Sequence, residues 1–413
     1  MKTKISFKSI IISISAAIIL FFILFFVILS LLNKKPVAAF YGIPENTQKG
    51  ITAVLQKTHT RRNKKSLPYE IVILNDTLDL KSAIKASKKP DILFIYNGRN
   101  AEYAASLAAA KKSGFDAQVL NGMTTSVKTT AYSANGKITG VPLLIDNYEI
   151  DVNLNAFKNS GVPAVNFWND IERLAEKTKS ASVVPVLFSA GNDEMLINVF
   201  GALVESLSGV QAWNSMTAKL KALSDSGNIT VSSCTELISQ MAQEDGELYK
   251  ALSMISSWKD SGLIPKNISQ ITFRDINAYM AANLTAITFM TLSQHRTIEY
   301  KTISQYSSIY YPSLSYANER HFAAPVVLAV PLSKNKIARN SVELMANTLQ
   351  PSLCSQTGLA PAQANCSTPD KQSDDVRYWV AASGAPLPAL CDAAFTKKTE
   401  KAAFASALRS LLK

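Results

Sequence analysis

Histidine is nearly absent: His59, His295 and His321 are the only three in 413 residues. None stands at metal-ligand spacing from another, so the His-x-x-His and His-Glu-x-x-His signatures are excluded. The chain has no Gly-x-Ser-x-Gly nucleophile elbow, and Asn135-Gly136 reads as a turn rather than a phosphate loop. Zinc-finger, RNP-like and arginine-rich patterns are missing, which removes a nucleic-acid partner. No repeat of fixed period appears, which removes a solenoid. Charge is missing altogether from Ser9 to Leu32. Cysteine is limited to Cys234, Cys354, Cys366 and Cys391, none near the end of that uncharged run, so a lipid anchor on an N-terminal cysteine is excluded. No metal and no organic cofactor is expected.

What is there begins with that run, rich in Ile, Phe and Leu behind Lys2, Lys4 and Lys8. At about 1.5 Å per residue it spans the roughly 30 Å apolar core of a bilayer with some tilt. It is longer than the apolar region of about 7 to 15 residues in a cleaved signal peptide, and Val37-Ala38-Ala39 is a poor cleavage site. The expectation is a tail over 1–8, a retained single-pass transmembrane helix over 9–32 in the lipid bilayer, and all the rest on the periplasmic or extracellular side of the cell (inner) membrane. That remainder exceeds one ordinary core, so two domains are expected. Lys plus Arg is 43 against 31 for Asp plus Glu, a formal charge of +12. Part of the excess lies in the tail, in Lys34-Lys35 and from Lys57 to Lys65, where an anionic bilayer explains it. Residues 33–67 read as a basic stalk.

Beyond it, YEIVIL (69–74), a helix over 78–88 and DILFIY (91–96) make a strand–helix–strand unit, so an α/β domain starts near residue 68. DILFIY is continuously apolar, as expected for a parallel strand covered on both faces. Ligands in open α/β sheets meet the loops beyond strand carboxyl ends, which makes Asn97 and Arg99 site candidates beside Asn100; helix capping is the other reading of these asparagines. VNFWNDIERLAEKT (165–178) is an amphipathic helix whose Trp168 faces the core. Val183–Phe188 is a strand ending in a polar loop with Asn192 and Asp193. Helices then dominate to Asp260, with Trp258 in the core. YSSIYYPSLSY (306–316) is dense in tyrosine; Tyr310, Tyr311 and Tyr316 either stack on a ligand or line an interface. Cys354 and Cys366 flank a short loop and are the first choice for a disulfide, although four cysteines permit three full pairings.

The central stretch is Lys137–Pro163, KITGVPLLIDNYEIDVNLNAFKNSGVP. An apolar strand gives way to Asp146, Asn147, Tyr148 and Glu149, polar groups where a buried chain would stay apolar, and a second strand follows. Such a segment reads either as a crossing between two lobes whose polar groups face a cleft, or as a surface turn. Asp146, Glu149 or Asp151 could pair as glycosidase carboxylates, but strand alternation turns Asp146 and Glu149 to opposite faces, so an enzyme is set aside.

This stretch, VNFWNDIERLAEK, ITFRDINAYMAANLTAITF and FAAPVVLAVPLSKNKIARNSVELMANTLQPSLCSQTGLAPA stand in the order found in extracellular solute-binding proteins of ABC importers, of the sugar-binding type. The chain resembles that family over roughly residues 68–365. Phe157, Gly161 and Trp168 take expected places, while the Ala-Met pair is degraded to Tyr279-Met280 and 367–395 has no counterpart. The resemblance implies a two-lobed periplasmic-binding-protein-like fold of type II, with 68–147 and 285–330 as lobe 1 and 148–284 and 331–413 as lobe 2. It implies capture of a small hydrophilic solute, a sugar or oligosaccharide first, and delivery to an ABC permease. An anionic solute, a peptide, and an anchored sensor or assembly protein stay open.

Overall fold

The alanine-rich segment VAAFY is too apolar for a stalk beside a charged surface, and in the computed structural model it is strand β1 (Val37–Tyr41), buried at every position. The structure describes residues 20–21, 35–60, 69–180, 182–314, 320–368 and 370–412. The strands that follow are β2 (Glu70–Ile73), β3 (Ile92–Tyr96), β4 (Tyr132–Ala134), β5 (Lys137–Ile145), β6 (Tyr148–Asn153), β7 (Val184–Phe188), β8 (Thr285–Thr291), β9 (Tyr306–Tyr310), β10 (Val326–Pro331) and β11 (Ala360–Pro361). Among the described residues they form a seven-stranded sheet, in order β11-β5-β10-β3-β1-β2 with β4 on β5, and a four-stranded sheet in order β7-β8-β6-β9.

Strand β1 pairs in parallel with β2 and β3, and β10 runs antiparallel between β3 and β5. Small residues at Ala38 and Ala39 let helices close over both faces of β1, and Phe40 stacks on Phe94 at 5.0 Å. Burying such a ring contributes about 1.5–3 kcal/mol. The helix Glu45–Thr60 covers this sheet with Ile51, Val54 and Leu55. Residues 37–60 are therefore part of lobe 1, which corrects the stalk expected over 33–67.

Each sheet has its own apolar core. One gathers residues from Ala38 to Ile145 and from Phe322 to Val380. The other runs from Tyr148 to Met290, takes in Tyr306, Tyr311 and Ala323, and closes with Leu387 to Leu412. Two expected assignments change. Strands β8 and β9 flank β6 in the smaller sheet, so only β10 of the segment 285–330 belongs to the strands of lobe 1. Residues 331–380 go to lobe 1, because β11 extends its sheet along β5 and the helix Lys336–Asn347 buries Val342 and Met345 there.

The chain crosses between the lobes at Asp146-Asn147, between Tyr311 and Pro325, and between Ala382 and Pro388. The crossings are laced together: Asp146 N–H donates to Pro325 O at 2.8 Å, Tyr148 N–H to Ala323 O at 2.9 Å, and Leu387 N–H to Phe322 O at 2.8 Å. Among the described residues no helix is long and apolar enough to cross a membrane. The tail over 1–8, the span over 9–32 apart from Leu20 and Phe21, residues 61–68 and Tyr316 lie outside the described residues.

Candidate functional site

At the carboxyl end of β3 the chain turns through Asn97, Gly98 and Arg99. Asn97 continues the pairing with β10, its N–H donating to Val326 O and its side-chain oxygen accepting from Val326 N–H at 2.8 Å. Gly98 has φ +141°, and a β-carbon there would stand 2.5 Å from Asp392 O. Only glycine lets the loop approach this closely. Arg99 opens the helix Arg99–Ala110 and reaches across to lobe 2, donating to Ser224 Oγ at 2.8 Å and Ala394 O at 2.9 Å and pairing with Asp225.

Between this loop and the lobe 2 helix Val210–Asp225 lies a cavity of about 530 Å³. Asn97, Thr130 and Tyr132 line it from lobe 1, Trp213 and Thr217 from lobe 2, and Pro386 and Pro388 from the third crossing. Trp213 and Thr217 stand one helical turn apart on one face. Both are buried, and the indole N–H and the Thr217 hydroxyl, sealed from solvent, have no hydrogen-bond partner among the described residues. A buried donor without a partner costs about 1–3 kcal/mol. At the rim Lys221 approaches Glu102 across the lobes at 3.9 Å.

The short helix Leu390–Ala394 divides this cavity from two others. One of about 200 Å³ is lined by Asp146, Tyr148, Asn192, Glu194 and Ser293, and one of about 40 Å³ by Tyr41, Asp76 and Lys401. The Lys401 ammonium lies between Glu194 at 2.8 Å and Asp392 at 3.0 Å. Burial alone would lower its pKa, but Asp392, Cys391 and Glu194 outweigh that and hold it well above the usual lysine range.

A second polar cluster sits on the other face of β6. Glu149 and Asp151 alternate with the core residues Tyr148, Ile150 and Val152, so both carboxylates point the same way. His295 Nδ1 lies 3.2 Å from Glu149 Oε1 and 3.1 Å from Asp151 Oδ1. Ser308 Oγ of β9 donates to Asp151 at 2.5 Å, and Gln372, from the lobe 1 helix Lys371–Ala381, donates to Ser308 at 2.5 Å and to Glu149. Burial, then the Asp151 charge, pushes the Glu149 carboxyl up to about 7. Burial would lower the His295 pKa, but Asp151 and Glu149 beside it bring it up to about 9.

No protein-family model matches this chain, and no curated protein matches it in sequence. Solved structures match it in shape. A chitin oligosaccharide binding protein superposes with a TM-score of 0.65 at 14% identity, covering 92% of this chain and 94% of that one. The bacterial solute receptor AcbH, described with an exclusive preference for β-D-galactopyranose, gives 0.63 at 11%, covering 92% and 97%. RafE from Streptococcus pneumoniae gives 0.63 at 14%, covering 92% and 98%. The fold is shared with these receptors. The resemblance read from the sequence thus stands at the level of the two-lobed architecture.

Against that frame of two lobes and three cavities, the expected site residues divide. Asn97, Asp146, Tyr148 and Asn192 line cavities, but a side-chain oxygen of each already accepts a hydrogen bond within the protein. Asp146 accepts from Tyr96 Oη at 2.8 Å and from the Ser293 and Asn147 N–H groups, each at 2.9 Å; burial raises its pKa while these donors lower it. Tyr148 Oη accepts from Asn198 Nδ2 at 2.5 Å. Asn192 caps the helix Asp193–Ser208 by accepting from Met195 N–H. Asn147 is buried with Nδ2 unpartnered and its backbone carbonyl accepting from Leu292 N–H.

Four expectations are corrected. Arg99 clasps the lobes rather than gripping a ligand. Asp193 is paired with Arg409 at 2.5 Å within lobe 2. Glu149 belongs to the cluster on the far face of β6. Tyr310 packs on Phe322 and Trp379, and Tyr311 lies in the core against Trp168 and Phe289, because strand β9 spends these rings on lobe 2 and the crossing. The Cys354 and Cys366 thiols, expected to be bridged, are reduced in this structure and stand in direct contact, that of Cys354 raised by Cys366 and burial and that of Cys366 lowered by Cys354. The residues missed are Trp213 and Thr217; their one-turn spacing, with Lys221 a turn further on, was the available signal.

Proposed function

We propose that this chain captures a small hydrophilic solute, a sugar or short oligosaccharide, between its lobes, and that it binds without transforming it. The observation that carries the reading is the interlobe cavity of about 530 Å³, lined by Asn97 and Tyr132 from one lobe and by Trp213 and Thr217 from the other. That volume falls within the roughly 300–1,000 Å³ range of small-molecule sites. A sugar suits such a lining, with flat C–H faces for the Trp213 and Tyr132 rings and hydroxyls for the polar groups beside them. The sugar receptors that share the fold support the same ligand class. Hinge motion about the three crossings would admit the solute, and Arg99, Lys221 and Asn100, whose Nδ2 donates to Thr396 O at 3.3 Å, would clasp the closed form.

The anchor expected over 9–32 belongs to the same reading: the lobes stand outside the cytoplasm beside an ABC permease that receives the solute. Cysteines introduced at Lys4 and Ser66 test this in intact cells. Labelling at Ser66 alone is expected, and labelling at Lys4 alone would reverse the orientation.

Calorimetry of the full-length protein against mono- and oligosaccharides, with amino acids and short peptides alongside, tests the ligand. A saccharide is expected to bind, and Trp213→Ala to weaken it at least tenfold, about 1.4 kcal/mol. If the whole panel fails on folded protein, solute capture is rejected and an anchored sensor or assembly role takes its place.

A further inference from the structure

The cluster behind β6 sets two carboxylates beside a single imidazole. Glu149 and Asp151 are both wholly buried, and among the described residues His295 is the one titratable cation paired with them. The Arg296 guanidinium, whose charge also bears on Glu149, is committed to Asp370 and Gly358 O. With both carboxylates ionised, one imidazolium at most leaves a net negative charge in a buried site, which either a proton on Glu149 or a bound metal ion removes. The second oxygens tell the same story independently. Glu149 Oε2 and Asp151 Oδ2 are buried and accept no hydrogen bond among the described residues.

The donor atoms are also spaced as ligands are. Two ligands each about 2.0–2.2 Å from one ion, at tetrahedral or octahedral angles, stand roughly 2.8–3.6 Å apart. His295 Nδ1 stands 3.2 Å from the Glu149 oxygen and 3.1 Å from the Asp151 oxygen, and one donor atom from each of the three residues lies within 4.8 Å of the others. Ser308 Oγ stands at the same place. Gln372 Nε2 lies 3.1 Å from His295 Nδ1; nitrogen and oxygen of an amide exchange by a half-turn, which would present Oε1 as a further neutral ligand.

We propose that Glu149, Asp151 and His295 form a binding site for one divalent transition cation of the zinc or manganese type, completed by Ser308 and Gln372. Two carboxylates and an imidazole without thiolate select that class. A 2+ ion with neutral His295 brings the site to zero net charge. This departs from the sequence-based expectation of no metal, because residues 149, 151, 295, 308 and 372 meet only through the pairing of β6 with β9 and the docking of a lobe 1 helix. Since Gln372 is carried by lobe 1 and the other four residues by elements packed on the smaller sheet, the ion would tie the lobes together beside the crossings.

The test uses full-length protein in detergent, stripped with chelator and reloaded with zinc or manganese alone. One ion per chain after dialysis and a rise in unfolding temperature are expected. Asp151→Asn and His295→Ala should lose at least tenfold in affinity, with His321→Ala unchanged. Glu149→Gln should lose the metal-induced shift yet be no less stable than the stripped parent, because it removes a buried charge. X-ray absorption of the zinc-loaded parent, which needs no variant to fold, should show a single imidazole among oxygen ligands. Failure to retain an ion, a shift unchanged in Asp151→Asn and His295→Ala, or a zinc shell with sulfur or several imidazoles would overturn the assignment.

Discussion

Gly98→Ala separates what holds the lobe 1 loop from what holds the lobes together. The residue sits at φ +141° and ψ −168° ahead of the helix Arg99–Ala110, a conformation open essentially to glycine. Placing alanine there costs about 1–3 kcal/mol of backbone strain, which persists whether the lobes are closed or apart. The new β-carbon would also lie 2.5 Å from Asp392 O and 2.8 Å from its carbonyl carbon. Those are backbone atoms, held by the short helix Leu390–Ala394 and by Lys401 on the Asp392 carboxylate, so they yield little. Overpacking of this kind costs about 1–3 kcal/mol, but it crosses the lobe boundary and is relieved when the lobes part. The first cost should therefore appear as lost stability in urea, and the second as a weaker closed form. The closed-form loss corresponds to about 5–150-fold in solute affinity, with a larger radius of gyration in solution scattering. Gly227→Ala is the control: φ is +71° with nothing within 4 Å of the added carbon, so about 1 kcal/mol of stability is lost and binding is unchanged. If Gly98→Ala closes and binds as the parent does, or loses no more stability than Gly227→Ala, the contact with Asp392 does not govern closure.

Three further outcomes follow from buried partners. Ser206→Ala removes the acceptor of the Trp168 indole N–H at 2.7 Å and the donor to Pro312 O, so about 1–3 kcal/mol should be lost in urea unfolding. Arg320→Ala strands the buried Glu205 carboxylate, which accepts from Arg320 Nε at 3.0 Å and Nη2 at 2.8 Å. The expected loss is about 3–5 kcal/mol, and replacing Glu205 by Gln in the same chain should recover part of it. Air oxidation should join Cys354 to Cys366 and stabilise the fold by about 2–4 kcal/mol, read as a linked peptide in a non-reduced digest and as a stability drop with reductant; both recovered as free thiols would reject it.

The fold was legible where one element carries its own signal. DILFIY and VPLLI read as strands because a sheet covered on both faces demands an unbroken apolar run, and VNFWNDIERLAEKT read as a helix because its apolar residues recur on one side. VAAFY was lost because two of its five residues, Ala38 and Ala39, lack the β-branched or aromatic bulk that marks a strand, which Val37, Phe40 and Tyr41 carry at its ends. The alanines are there because two helix layers press on β1. Lobe membership was illegible for a different reason. TAITFMT and VVLAVP are equally apolar, and nothing within either states that the first pairs with β6 and the second with β3. Register and partner are properties of two strands together.

The same distinction decides the site. The strand-end rule located Asn97 and Asn192 at cavities, and the crossing segment Tyr148, yet a side-chain oxygen of each is engaged by Val326, Met195 or Asn198, residues a local reading does not place beside them. Arg99 looked like an anion grip and is a clasp, because Asp225 and Ala394 O face it from the other lobe. Trp213, by contrast, stands in a helix whose pattern reads as ordinary packing, and what sets it apart is a donor without an acceptor. Glu149 and Asp151 could be placed on one face of one strand by alternation alone; that the face is sealed, and that His295 closes it, depends on β8 and β9 folding against β6. A polar side chain announces a site only when its partners have been counted and one is missing. That count is a property of the folded chain, so residue type ranks candidates in the sequence, and unsatisfied buried atoms such as Trp213 Nε1 and Glu149 Oε2 choose among them.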